Sequence, residues 1–320
     1  MCIIGAGPRG VSVLERICAN ARRLPADARV DVHVVDPARP GPGQVWRTGQ
    51  SGLLLMNTVA SQVTLFTDDS VEMDGRLEPG PSLYEWARFL TLMGPVDGVG
   101  EDTLAEARTL GPDTYPTRAF YGRYLAWAYA RIVRSAPPQV TVTGHGCRAV
   151  AVDDTGPGTQ TVRLEDGTVL SGVGHVVIAL GHVPIAPTAE EAGLAGFAAV
   201  HGLTYVPPGN PADVDMAAVP PGAVVAMRGL GLNFFDHLTL LTAGRGGTYG
   251  RREGRLVYRP SGREPRLFAG SRRGVPYHAR GRTRRARTAG ICRWCSPRRW
   301  SLRCGPGPVP GWTSAATSGR

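Results

Sequence analysis

Three glycines stand within six residues near the start of this chain, Gly5-Ala6-Gly7-Pro8-Arg9-Gly10. A short apolar run, residues 2–4, precedes them. Val11, Leu14, Ile17 and Cys18 follow at helical spacing. A pyrophosphate needs close backbone and N–H groups aimed at it. Gly5 permits a tight turn after a strand, Gly7 lets backbone approach phosphate without a Cβ, and Gly10 lets the helix pack on the strand. The helix N-terminus adds free donors and partial positive charge. Residues 30–35 read as the next strand and end at Asp36, whose carboxylate can accept both hydroxyls of a ribose. Three glycines alone are weak grounds. The order strand, glycine loop, helix, strand, acid makes this a dinucleotide site.

The loop does not separate FAD from NAD. Three features point to FAD. The motif stands at the start of the chain. A second buried strand, "VVIALG", ends in Gly181. A second strand-glycine-helix unit, Gly229-Leu230-Gly231, follows about 220 residues later, as expected of a nicotinamide domain inserted in a flavin domain. Its third glycine position holds Phe234, too bulky for close helix–strand packing, so NAD(P)H binding there stays open. No serine or cysteine stands in an activated setting, and Cys2, Cys18 and Cys147 read as small core thiols. Two side chains are pocket candidates: the Asn57 amide could bond flavin or peroxide oxygens, and the Arg118 guanidinium an acidic substrate. Arg245 and His182 read as an ordinary solvated arginine and a turn histidine.

Helices are expected over 82–94 and 118–135, and a strand over 139–143. Residues 147–173 turn at "DDTGPG" and "EDG" and read as an antiparallel hairpin insert. The fold class is α/β: a Rossmann-like FAD-binding domain with a parallel sheet, a small antiparallel insert and a partial second dinucleotide-binding unit. The expected domains are 1–195 for FAD and 196–280 for a partial NAD(P)-binding-like unit. A disordered basic tail is expected over 281–320.

Charge supports that division. The net charge of +10 hides a body over 1–264 of −3, while the 56 residues after Glu264 hold 13 arginines and no acid. A basic stripe on a folded nucleic-acid surface is therefore disfavoured. No apolar run approaches the ~20 residues of a membrane span. Without a basic leader before the first apolar stretch, a cytoplasmic protein acting on a small molecule is expected. The tail has Cys292, Cys295 and Cys304 but no fourth metal ligand, and its Arg, Gly, Pro and Trp content is that of a GC-rich gene read out of frame. The chain reads as truncated there, and clipped at Met1.

Six blocks carry a resemblance: "IIGAGPRGVSVLER", "LLMNT", "RAFYGRYL", "VVIALGHVP", "RGLGLNFFD" and "SGREPRLFAGSRRGVPYHARG". In this order they resemble the bacterial FAD/NAD(P)-binding family that includes FAD-dependent urate hydroxylases and aspartate N-monooxygenases. The resemblance spans residue 1 to about 281. It implies an FAD reduced by NADPH or NADH that then activates oxygen, an oxidoreductase of monooxygenase type. It implies that Gly5, Gly7, Gly10 and Asp36 hold FAD, that Trp46 and Asn57 lie near the flavin ring, and that Gly181 lies near the cofactor. The alternative is a non-catalytic nucleotide-binding protein whose basic tail contacts nucleic acid.

Overall fold

The computed structural model describes residues 1–94 and 99–277. The basic tail and its three cysteines lie outside the described residues. Strand β1 (Cys2–Ile4) is fully covered. It ends just before Gly5, and helix α1 (Pro8–Ala21) starts three residues after that glycine, with Pro8 pre-set for the first helical position. Strand β2 (Val30–Val35) returns parallel to β1, Ile3 opposite Val34.

A long excursion follows, carrying helices α2 (Leu83–Met93), α3 (Glu101–Thr109) and α4 (Arg118–Arg134). Ser82 and Glu85 form a reciprocal capping box at α2, and Thr117 caps α4 through the Phe120 amide at 3.0 Å. The three helices enclose Trp86, Leu90, Leu104, Phe120 and Tyr124. The Tyr124 hydroxyl donates to the Pro81 carbonyl at 2.7 Å and accepts from the Leu65 amide at 3.1 Å, so its polar end is satisfied inside that core.

Strand β3 (Val140–His145) pairs with β2. Strands β4 (Ala149–Gly156), β5 (Thr159–Leu164) and β6 (Val169–Val173) form a separate antiparallel sheet. The expected hairpin is thus three strands, because both turns read from the sequence reverse the chain. Strand β7 (Val176–Ile178) rejoins the first sheet beside β1, giving the all-parallel order β3-β2-β1-β7. The layers follow from which faces are apolar. One sheet face packs on α1 and α4 through Ile3, Val32 and Val34 against Leu14, Cys18, Ala128 and Ile132. The other, through Cys2, Ile4 and Val35, packs on Val162, Leu164, Leu170 and Val173 of the antiparallel sheet.

Helix α5 (Ala189–Val200) runs through the expected boundary at 195/196, and the described residues fall in one compact unit. Strand β8 (Val224–Arg228) enters the second glycine turn and helix α6 (Leu232–Leu241). A hairpin of β9 (Thr248–Arg252) and β10 (Arg255–Arg259) follows, and β11 (Arg266–Gly270) lies parallel to β8. Among the described residues, the buried apolar side chains lie at or before Val173 except for Ala198, Pro211, Leu241 and Pro265. No helix among the described residues is long and apolar enough to cross a membrane.

Candidate dinucleotide site

The first loop divides its work by residue. Gly5, Ala6 and Gly10 are buried, Gly7 and Pro8 partly so, and Arg9 is exposed. Gly5 has φ +103, and a Cβ there would sit 2.3 Å from the Ala179 carbonyl oxygen at the end of β7. A Cβ on Gly10 would lie 1.8 Å from the Gly5 carbonyl oxygen. Both glycines are therefore demanded by close backbone packing. Gly7 differs: a Cβ there would meet nothing within 4 Å. It opens on space, and it is the N-cap of α1 with no side chain closing the helix end. Pro8 has no N–H, and the Val11 amide is spent on the Gly7 carbonyl at 3.0 Å. By helix geometry the Arg9 and Gly10 amides lack intrahelical acceptors. Together these give an uncapped positive helix end beside bare backbone, which suits a phosphate anion.

Asp36 braces this loop. Its Oδ2 accepts the Ala6 amide at 2.7 Å and its Oδ1 the Ala38 amide at 2.8 Å. Each carboxylate oxygen keeps a further lone pair for a ribose hydroxyl. The wall opposite comes from the Pro/Gly-rich segment after β2. The Gly41 amide donates to the Ala6 carbonyl at 2.7 Å, and a Cβ on Gly43 would lie 3.2 Å from Gly7 Cα. Gly41, at φ +98, and Gly122 let this segment lie on α4: added Cβ atoms would meet the Leu125 carbonyl oxygen at 2.4 Å and that of Trp46 at 1.8 Å. The run "PGPG" was the available signal.

The other candidates scatter over two ledges. Trp46 is half-buried and meets Tyr121 edge-on, with ring centroids 4.9 Å apart. The segment 54–56 runs antiparallel to 116–118: the Arg118 amide donates to the Leu54 carbonyl at 2.8 Å and the Met56 amide to that of Pro116 at 2.8 Å. Asn57 and Arg118 thus stand on one strap, with Asn57 exposed. Arg118 is not free. Its Nε donates to the Leu55 carbonyl at 3.2 Å, and its Nη2 is ion-paired with Asp236 of α6. Nothing in the sequence links residues 118 and 236. Gly181 is exposed at φ +73 just past β7.

In the second unit, Gly229 sits at φ +111 with its amide on the Gly270 carbonyl at 2.8 Å, and Gly231 is the N-cap of α6, again without a side-chain cap. Phe234 occupies the third position and packs on Phe235. Arg245, expected to be solvated, is a clamp: it donates to the carbonyls of Met216, Val219 and Arg263 at 2.7, 2.6 and 3.0 Å. Among the described residues no cluster of three or more metal-ligating side chains occurs.

This fold, with an open glycine loop at the head of a parallel sheet, is that of the dinucleotide-binding flavoproteins. A model of the FAD-NAD(P)-binding family matches residues 2–183, more than half of the chain, and the chain belongs to that family. The cofactors expected from the sequence, FAD with NAD(P)H, are those of the family. The chain is 60% identical over 289 residues to an L-aspartate N-monooxygenase (nitrosuccinate-forming) of Streptomyces davaonensis, covering 88% of this chain and 44% of that protein. It is 52% identical over 282 residues to a nitrosuccinic acid synthase of Aspergillus oryzae, covering 88% and 41%. The chain thus spans less than half the length of these curated relatives. Among solved structures, an ornithine N-hydroxylase of Kutzneria sp. 744 matches at 15% identity and TM-score 0.42, over 77% of this chain and 50% of that one.

Proposed function

We propose that this chain is the FAD-binding portion of an FAD-dependent N-monooxygenase that uses NAD(P)H and dioxygen on the amino group of a small acidic amino acid, L-aspartate. The 60% identity to the Streptomyces davaonensis enzyme carries the reading, and the open Gly7 at an uncapped helix end supports it.

When bound, FAD supplies the redox chemistry, taking reducing equivalents from NAD(P)H and passing them to dioxygen. The chain's own residues do the rest. The Arg9 and Gly10 amides take the pyrophosphate, with Gly7 keeping the approach bare. Asp36 holds the loop through Ala6 and offers its remaining lone pairs to the ribose. The segment over Gly41 and Gly43 screens the phosphates from water. Arg118 keeps N–H groups beyond those spent on Leu55 and Asp236, and a planar guanidinium suits a substrate carboxylate.

Two observations favour a second reading, a nucleotide-binding protein without turnover: the Arg118 guanidinium is already paired with Asp236, and Phe234 stands where the second loop needs glycine. One titration separates the readings. The purified chain is mixed with FAD and followed by flavin fluorescence, then given NADPH with and without L-aspartate. Saturable FAD binding with aspartate-stimulated NADPH oxidation is expected. FAD binding without oxidation supports the second reading, and no FAD binding overturns both. RNA binding that falls steeply with salt and disappears on deleting residues 281–320 supports a nucleic-acid role for the tail.

A further inference from the structure

Two histidines meet on adjacent strands, one of which leads into Asp36. His33 lies on β2 and His145 closes β3, both half-buried and within reach of water. His33 Nδ1 stands 3.0 Å from His145 Nε2, so one nitrogen donates a proton and the other accepts it. The same strand ends carry the candidate dinucleotide site. Val35 lies opposite His145 in the ladder, and the Asp36 amide donates to the His145 carbonyl at 3.1 Å. The Val35 carbonyl accepts the Gly5 amide at 2.8 Å, and the Asp36 carboxylate holds the Ala6 and Ala38 amides. His145 is thus tied to this stretch twice, through its ring to His33 and through its carbonyl to Asp36. The charged and titratable neighbours of His33 are His145 on β3, the N-terminal ammonium ahead of β1 and Asp31 on β2 itself, of which only Asp31 favours a charged ring. The antiparallel sheet meets this face of the main sheet with apolar Val162, Leu164, Leu170 and Val173 and with Cys147, a thiol whose titration is pushed up by burial.

We propose that the His33–His145 pair is a proton-operated latch on the Asp36 brace: with both rings charged, the end of β3 parts from β2, Asp36 loses its backbone anchor and the first loop releases FAD. The latch rests on the reading of that loop as the FAD site. A first added proton leaves the ring-to-ring bond in place, as imidazolium donating to imidazole. A second puts a donor on both facing nitrogens and a positive charge on both rings, and the bond is lost. The joined pair therefore holds fewer protons than the parted one. Acid weakens FAD binding, and bound FAD opposes protonation of the pair by the same factor. Burial lowers the His33 titration, so affinity is full above about pH 6.5, the ordinary histidine value. It falls by up to about tenfold for each pH unit below the second titration of the pair.

The test measures FAD affinity of the full chain by flavin fluorescence between pH 5 and 8. Far-UV circular dichroism is recorded on the same samples, and amide exchange is followed at Ala6 and Asp36. The unaltered chain should bind FAD about tenfold more weakly at pH 5 than at pH 7.5, with its circular dichroism unchanged. His33→Gln keeps a neutral hydrogen-bonding side chain opposite His145 at every pH. It should bind FAD as the unaltered chain does at pH 7.5 and change less than about twofold down to pH 5. His145→Gln should behave alike, and the double variant should flatten the profile no further. An equal fall in the single variants overturns the latch, as does a flat profile in the unaltered chain or a fall that only accompanies loss of the circular dichroism signal. Where FAD binds at no pH, the cofactor reading fails by itself and amide exchange, corrected for its intrinsic pH dependence, decides. Protection at Ala6 and Asp36 that acid removes in the unaltered chain but not in the variants supports the latch, and equal behaviour overturns it.

Discussion

At the residue scale, the three glycines of the first loop have different jobs, and substitution should tell them apart. Gly10→Ala forces a methyl to within 1.8 Å of a backbone oxygen that has no room to move. Overpacking of that kind costs about 2 kcal/mol or more, so the melting temperature should fall along with FAD affinity. Gly7→Ala adds a methyl to open space at an ordinary φ of −71, so thermal stability should hold while FAD binding weakens tenfold or more. Equal FAD affinity in the Gly7 variant would show that the phosphate lies elsewhere. Asp36 extends the same logic: its two bonds to main-chain amides make it a brace of the loop as well as a candidate ribose ligand.

At the element scale, α2 is set by its capping box, in which the Ser82 Oγ accepts from the Glu85 amide and the Glu85 carboxylate from the Ser82 amide. Ser82→Ala should cost about 1 kcal/mol, read as a shift in the chemical denaturation midpoint with an unchanged slope. Strands β2 and β3 carry a second device. His33 Nδ1 lies 3.0 Å from His145 Nε2, a distance that requires one nitrogen to donate and the other to accept. Burial pushes the His33 imidazole below its ordinary value, helped by His145 and the N-terminal ammonium and opposed by Asp31. A lowered value means the fold prefers the neutral ring. That stability is present above about pH 6.5, the ordinary histidine value, and drains away as pH falls through the lowered one. The melting temperature should drop between pH 7.5 and 5, and His33→Gln should flatten the drop. An unchanged slope in that variant would remove His33 from the account.

At the scale of the whole molecule, stability should be graded along the chain. The sheet, its two covering layers and the α2–α4 cluster hold nearly all the buried apolar side chains, whereas β8 and β11 form a parallel pair with Val224 and Phe268 exposed. A two-stranded sheet is marginal by itself. Ion pairs tie this region back, Arg47 to Asp213 and Arg118 to Asp236, the first of them well exposed and so of little energetic weight. Amide exchange should therefore be slowest in β1, β2 and α4 and faster by orders of magnitude in β8 and β11. Uniform protection through residue 277 would contradict that gradient.

The sequence by itself determined the first strand-loop-helix-strand unit, its terminal acid and the helices at α2 and α4. Those features are local: glycine spacing, apolar periodicity and capping residues act over a few neighbours. Helix α5 was not among the expected helices, although Thr188 and Glu191 form a capping box at its start. Helix α3 gave a weaker signal, with no side chain at its N-cap and only acids in its first turn. Only the tertiary structure decided the rest. It placed Gly41 and Gly43 over the first loop and paired Arg118 with Asp236. It turned Arg245 into a clamp and brought His33 to His145. Each of these depends on which distant backbone comes close, and that is set by sheet order and packing across many residues.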